Sequence, residues 1–212
     1  FKSMYPSIFI AYNICQTTFV RRSANLETIK TPYDTTFVSK SIKEGMMPKI
    51  LRKLIEERDR TRNIVKKTAD SNSRRLLEAK QNALKIMTNA FYGYTGYLRA
   101  RLYIIDIANT ITGCGRYLIN QTKQIVETNT QYKVVYGDTD SVMVKIDTDN
   151  LDKAFETGIE LENLVNKELT GIVQLKIEKV FKSLLILSKK RYTGLSFEKD
   201  NGEWKEEIVM KG

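Results

Sequence analysis

The chain has 212 residues, 42% hydrophobic and 28% charged, which is enough to bury a core in one or two domains and calls for no disordered class. It contains no histidine and only two cysteines, Cys15 and Cys114, so a zinc site, a histidine-based triad and a disulfide framework are excluded. With 35 Lys and Arg against 25 Asp and Glu, a formal charge of +10 and a pI near 9.5, the expected partner is a polyanion. No apolar run approaches the roughly 20 residues of a membrane span and no secretory signal opens the chain, so an intracellular protein without membrane partners is expected. The first residues lack an initiator methionine, which suggests a piece of something longer.

Residues Phe1 to Ser7 read as a loop feeding a helix, with Pro6 suited to the first helical turn. The backbone amides of Ser3, Met4 and Tyr5 at such a junction are candidates for holding phosphate oxygens. Residues 16 to 45 show no clear periodicity and are expected to be connecting structure, with a short strand at Thr36 to Val38. From Met47 to Phe91 the pattern is helical twice over, broken at Asp70-Ser71-Asn72-Ser73, which supplies turn residues and an N-cap. Two long antiparallel helices follow from this. The first carries Ile50, Leu51, Leu54 and Ile55 on one side and Arg58, Arg62 and Lys66 every four residues on another. Like charges at that spacing repel by a few tenths of a kcal/mol per pair and are either solvated or await an anion. In the second helix Gln81, Lys85 and Asn89 repeat the spacing, while Leu76, Leu77, Ala83, Leu84 and Met87 are expected to pack. If the helices pair, Arg58, Arg62 and Lys85 converge, a cation set suited to a triphosphate.

Phe91 to Tyr97 ends that helix in tyrosines and glycines, offering stacking faces and close backbone approach. Apolar residues near 104, 107, 108, 111, 114, 118 and 125 predict a helix over Ile104 to Val126 that covers a sheet, and Asp149 to Leu169 predicts another. Between them, Tyr132 to Ile146 reads as a β-hairpin with Gly137 making a tight turn and Asp138 and Asp140 at its tip. Two carboxylates sharing a small volume need a cation between them, and Mg²⁺ is the matching hard ion; a solvated turn is the alternative. The remainder, Ile172 to Val209, alternates into strands around Leu184 to Leu187 and Tyr192 to Phe197, with a turn at Asp200-Asn201-Gly202. Lys189-Lys190-Arg191-Tyr192 lies between the strands, a basic run closed by an aromatic that suits a nucleic-acid backbone.

Together these stretches resemble the polymerase core of family B DNA polymerases, with four motifs in the family's order. Phe1 to Ile8 looks like the first palm motif, in which an Asp immediately precedes the position of Phe1. Lys85 to Gly93 looks like the fingers motif, Tyr136 to Ser141 the second palm motif, and Lys189 to Tyr192 the primer-template motif. Ala90 stands where many members have Ser. The resemblance implies an α+β fold: a palm with an antiparallel sheet backed by helices over residues 1–45 and 96–212, and a fingers helical hairpin over 46–95. The preceding Asp, the N-terminal and exonuclease regions and the thumb would belong to the remainder of the polymerase.

By the same resemblance, Asp138 and Asp140, helped by the backbone carbonyl of Phe1, would hold two Mg²⁺ ions, with Asp140 bridging both. Arg58, Arg62, Lys85 and Asn89 would bind the incoming deoxynucleoside triphosphate with the amides of Ser3 and Met4, and Lys85 would protonate the leaving pyrophosphate. Tyr5 would lie under the deoxyribose and exclude a 2′-hydroxyl. Tyr92, Gly93, Thr139, Lys189, Lys190, Arg191 and Tyr192 would contact primer-template DNA. The implied activity is DNA-directed DNA synthesis, in the cytoplasm or nucleoid of a prokaryote or the nucleus of a eukaryote, with a sliding clamp as a further partner. This fragment alone would be inactive without the Asp before Phe1. One half of a split polymerase, a polymerase-like DNA-binding scaffold that has lost its chemistry, and an RNA-making or RNA-templated enzyme are the alternatives.

Overall fold

The computed structural model describes residues 1–21, 26–169, 173–200 and 202–212. Ile172 and Asn201, expected in the terminal strand region and its turn, and residues 22–25 of the connecting stretch lie outside these. The chain divides into two compact units, one made of Ser3–Tyr117 and the other of Phe1–Lys2 with Leu118–Gly212. The architecture is α+β with antiparallel sheets. Among the described residues no helix is long and apolar enough to cross a membrane.

In the unit of Ser3–Tyr117, helix α1 (Met4–Ala11) is apolar around nearly its whole circumference, and such a helix must be buried. It buries Met4, Pro6, Ile8, Phe9 and Ile10. Strands β1 (Phe19–Val20), β2 (Thr28–Lys30) and β3 (Thr36–Val38, where the expected strand falls) form an antiparallel sheet in the order β1-β3-β2. Asn13 then ties this part to the next. With a left-handed φ of 52°, it donates through Nδ2 to the carbonyls of Val38 and Lys43, both at 2.8 Å, and accepts through Oδ1 from the amide of Gly45, also at 2.8 Å. Gly45 is the N-cap of α2 (Met46–Lys67), so a single fully bonded buried amide sets where that helix begins.

Helix α3 (Ser71–Gly96) follows, with Asp70 as its N-cap accepting from the Ser73 amide at 2.8 Å, as expected. Only residues 68–70 separate α2 from α3, so the chain doubles back as a helical hairpin, and Glu57–Lys80 and Arg58–Gln81 contacts join the two helices. The packing differs from expectation. Of the apolar residues assigned to the α3 core only Leu84 is buried, while Leu76 is 73% and Met87 50% exposed, and Ile50 on α2 is exposed as well. Two helices lying side by side share only one stripe. The buried residues are Met47, Pro48, Leu51 and Thr61 on α2 and Leu84, Thr88 and Thr95 on α3, and the hydroxyls of Thr61 and Thr88 satisfy themselves on carbonyls one turn back.

Helix α4 (Ile105–Asn129) contributes Ile107 and Ile111 to the first core and its C-terminal half to the second unit. There β4 (Lys133–Asp138) and β5 (Ser141–Lys145) form the expected hairpin, with Tyr132, Val134 and Val144 packed on Val126 of α4 and on Leu161 and Val165 of α5 (Leu151–Glu168). Strands β6 (Val180–Ser188), β7 (Arg191–Asp200) and β8 (Glu203–Lys211) make an antiparallel meander. The start of α5 docks on it: Phe155 meets Trp204 edge-on, and Lys199 lies over both rings while pairing with Asp152 at 2.8 Å.

Candidate functional site

The tip of the β4–β5 hairpin is fixed through its backbone. Asp138 pairs with Ser141, leaving Thr139 and Asp140 as the two turn residues. The left-handed conformation falls on Thr139, at φ 49°, and not on Gly137, which sits inside β4 opposite Val142. The expected role of Gly137 is thereby corrected, because strand pairing continues past it to Asp138. The Asp138 carbonyl accepts from the Asp140 amide at 2.6 Å and from the Ser141 hydroxyl at 3.2 Å. The backbone nitrogen of Phe1 donates to the carbonyl of Asp140, so the first residue lies against the acidic turn.

The two carboxylates have different surroundings. The Asp138 side chain is only 22% exposed; its Oδ1 accepts from the Thr139 hydroxyl at 3.0 Å and lies 3.6 Å from the ammonium of Lys190. Asp140 is exposed. Tyr136, two residues before Asp138 and so on the same strand face, accepts from the Lys190 amide at 2.8 Å and meets the ring of Tyr192 at 5.8 Å. Tyr192 is buried against Tyr136 and Phe181, whereas Lys189 and Arg191 are exposed. The β6–β7 turn, with Lys190 at φ 65°, thus delivers a cation to Asp138. That placement was not visible in the sequence, and the tyrosine hydroxyl that anchors it carried no signal there.

In the other unit the Arg58 guanidinium lies 3.4 Å from the Ser3 hydroxyl and 3.5 Å from Oε1 of Gln81. Both contacts are long and weak. Burial first, and the positive charge of Arg62 second, hold Arg58 below the usual arginine range, so an anion here would relieve both. Lys85 and Asn89 are exposed and follow Gln81 at successive four-residue steps along the same face of α3. Ser3 is the N-cap of α1 in a left-handed conformation, at φ 50°, and makes no side-chain capping bond.

Tyr5 and Tyr92 pack ring to ring at 4.6 Å, tilted by 48°. Gly115 of α4 lies close behind: a Cβ there would come 3.0 Å from Cε of Met4 and 3.3 Å from Cε1 of Tyr5. Any side chain at 115 would therefore have to shift Met4 or Tyr5. A helical glycine among Thr112, Cys114 and Arg116 gave no warning of this close approach.

The candidate donors at the acidic turn are all oxygen: the carboxylates of Asp138 and Asp140, and the carbonyl of Phe1, whose nitrogen is bonded to that turn. Among the described residues no three His, Cys, Asp or Glu side chains converge. Two carboxylates with further positions left to water and phosphate is a set that fits Mg²⁺ and does not fit a dedicated protein cage.

The family described as DNA polymerase family B matches residues 1–212. Among curated proteins, the chain is 39% identical to a "DNA polymerase delta catalytic subunit" of Mesocricetus auratus, covering 93% of this chain and 19% of that protein. The protein of the same name from Caenorhabditis elegans is 38% identical over 94% of this chain and 20% of its own length, and that from Arabidopsis thaliana 37% over 92% and 19%. The chain therefore spans about a fifth of the length of these relatives.

Proposed function

The chain belongs to DNA polymerase family B, and from that premise we propose that it carries the nucleotidyl-transfer centre of a DNA-directed DNA polymerase, joining deoxynucleotides to a primer 3′-hydroxyl. Given the length of the relatives, these residues form the palm and fingers of a longer protein, the palm over 1–45 and 96–212 and the fingers over 46–95. The observation that supports this reading most is the acidic turn: Asp138 at the end of β4 and Asp140 on the backbone-locked two-residue loop after it, with Phe1 bonded to that loop.

Asp138, Asp140 and the Phe1 carbonyl would hold two Mg²⁺ ions. Such ions, when bound, activate the primer hydroxyl and neutralise the triphosphate. The protein's own groups do the rest. Arg58 and Arg62, which repel each other, gain by gripping the triphosphate, and the amides of Ser3 and Met4 add fixed donors. Lys85 holds the leaving phosphates and supplies a proton to the departing pyrophosphate, while Asn89 steadies the nucleotide. Fixed cations lower the barrier because charge grows on the phosphoryl oxygens as the leaving bond breaks. Tyr5, backed by Tyr92, closes the space a 2′-hydroxyl would need. Gly93, Thr139, Lys189 and Arg191 contact the primer-template, and contacts to its phosphates carry no sequence preference.

Primer extension by the full-length protein on a DNA template with deoxynucleotides and Mg²⁺ tests the reading. Mg²⁺-dependent products that lengthen to the template end support it. Salt-sensitive DNA binding with no extension would instead favour a scaffold, and a preference for ribonucleotides would favour an RNA-making enzyme.

A further inference from the structure

The groups proposed to meet the nucleotide stand on separate helices, Ser3 and Tyr5 at the start of α1 and Arg58 and Arg62 well along α2. Their spacing depends on what ties the end of α1 to the start of α2, and one buried residue works on both. Asn13 is 1% exposed and follows Tyr12, the C-cap of α1. Its left-handed backbone, at φ 52°, lets the Ile14 amide donate to the Phe9 carbonyl at 2.9 Å and close the helix. Its own carbonyl accepts from the Thr18 hydroxyl at 2.6 Å. The side chain serves the other helix, bonding the carbonyls of Val38 and Lys43 and the amide of Gly45, the N-cap of α2.

The approach at Gly45 is close as well. A Cβ there would lie 2.7 Å from Cβ of Cys15, 3.1 Å from Cδ of Pro48 and 3.3 Å from Oδ1 of Asn13. Gly45 offers no side chain to cap α2, and the helix start is held instead by the Asn13 carboxamide on the Gly45 amide. Arg58 stands about 20 Å along the helix from that point, so a tilt of about 5° at the start displaces it by about 1.7 Å. Its contact with the Ser3 hydroxyl, already 3.4 Å, would then be lost.

We infer that Asn13 is a positioning residue for the nucleotide site, fixing α1 and α2 against each other so that Arg58 meets the triphosphate while Tyr5 faces the sugar. This rests on the polymerase reading above. Asn13 itself reaches no substrate and acts through Arg58. Asparagine suits the task because one carboxamide donates twice and accepts, and because its short polar side chain tolerates the left-handed backbone.

A double-mutant cycle in the full-length polymerase tests the inference. Single-turnover incorporation over a series of deoxynucleoside triphosphate concentrations, with Mg²⁺ and one primer-template, gives the apparent nucleotide dissociation constant and the maximal rate. Fluorescence anisotropy gives the DNA affinity. Asn13→Gly keeps the left-handed turn and removes the carboxamide. Gly45→Ala keeps every hydrogen-bonding group and instead crowds Cys15. Each should raise the nucleotide dissociation constant about fivefold, with maximal rate and DNA affinity changed by less than about twofold. In an Arg58→Ala background the same substitutions should add less than about twofold, because the group they position is gone. Equal losses in both backgrounds, matching losses of DNA and nucleotide affinity, or an unchanged dissociation constant overturn the inference. Where Asn13→Gly fails to fold, Gly45→Ala, which shifts the same joint, decides. Wild-type incorporation is measured first: its absence counts against the polymerase reading, whereas the cycle reports on Asn13.

Discussion

The acidic turn is positioned by backbone, the basic face by side chains. Asp138 ends β4 and Asp140 stands on the two-residue loop that follows it, and their amides and carbonyls are bonded to one another, to Ser141 and to Phe1. Arg58, Arg62, Lys85 and Asn89 stand on two long helices, on flexible stems, and the two contacts of Arg58 are at 3.4 and 3.5 Å. A short side chain on a locked loop has one place to be; a long one on a helix has several until a ligand selects among them. Substitutions at the turn should therefore act nearly all-or-none on the chemical step, and those on the helices should be graded and visible in nucleotide binding.

The largest expected effect that sharpens this contrast is Asp138→Asn. It keeps the shape and removes the charge, and should slow single-turnover incorporation by about a thousandfold with DNA affinity retained. On the helical side, Lys85→Ala should slow incorporation by about a hundredfold, and Arg58→Ala should raise the apparent nucleotide dissociation constant by about tenfold, with Arg58→Lys recovering part of it. Equal losses at Asp138 and Arg58 would break the comparison. Smaller again is Gly115→Ala, which must displace Met4 or Tyr5 by a few tenths of an ångström. The ratio of deoxy- to ribonucleotide incorporation should fall by roughly tenfold, and an unchanged ratio would remove Gly115 from the account of sugar selection. Smallest is Asp70→Ala, which deletes the α3 cap. Denaturant unfolding should show a loss of about 1 kcal/mol, with incorporation kinetics unaltered.

The two regions also differ in how much of them the sequence reveals. Local rules were sufficient for the Thr36–Val38 strand, the Asp70 cap, the helical hairpin and the acidic β-hairpin, because each depends on residues a few positions apart. They misplaced the turn by assigning the special backbone to Gly137, since glycine statistics know nothing of where strand pairing stops; pairing runs on to Asp138 and leaves Thr139 to take the left-handed φ. Periodicity likewise could not distinguish a buried face of α3 from an open one, so Leu76 and Met87 were assigned to a core that a lone helix pair does not provide. The contacts that organise each site are distant in sequence: Asn13 with Lys43 and Gly45, Tyr5 with Tyr92, and Lys190 with Tyr136 and Asp138. No spacing rule reaches that far.

The central claim is that the acidic turn performs the transfer. Single-turnover incorporation of a deoxynucleotide by the full-length polymerase with Asp140→Ala, with DNA binding measured on the same preparation, tests it most directly. The account predicts no incorporation above background and DNA affinity equal to the wild type. Incorporation at a near-normal rate by the variant would contradict it.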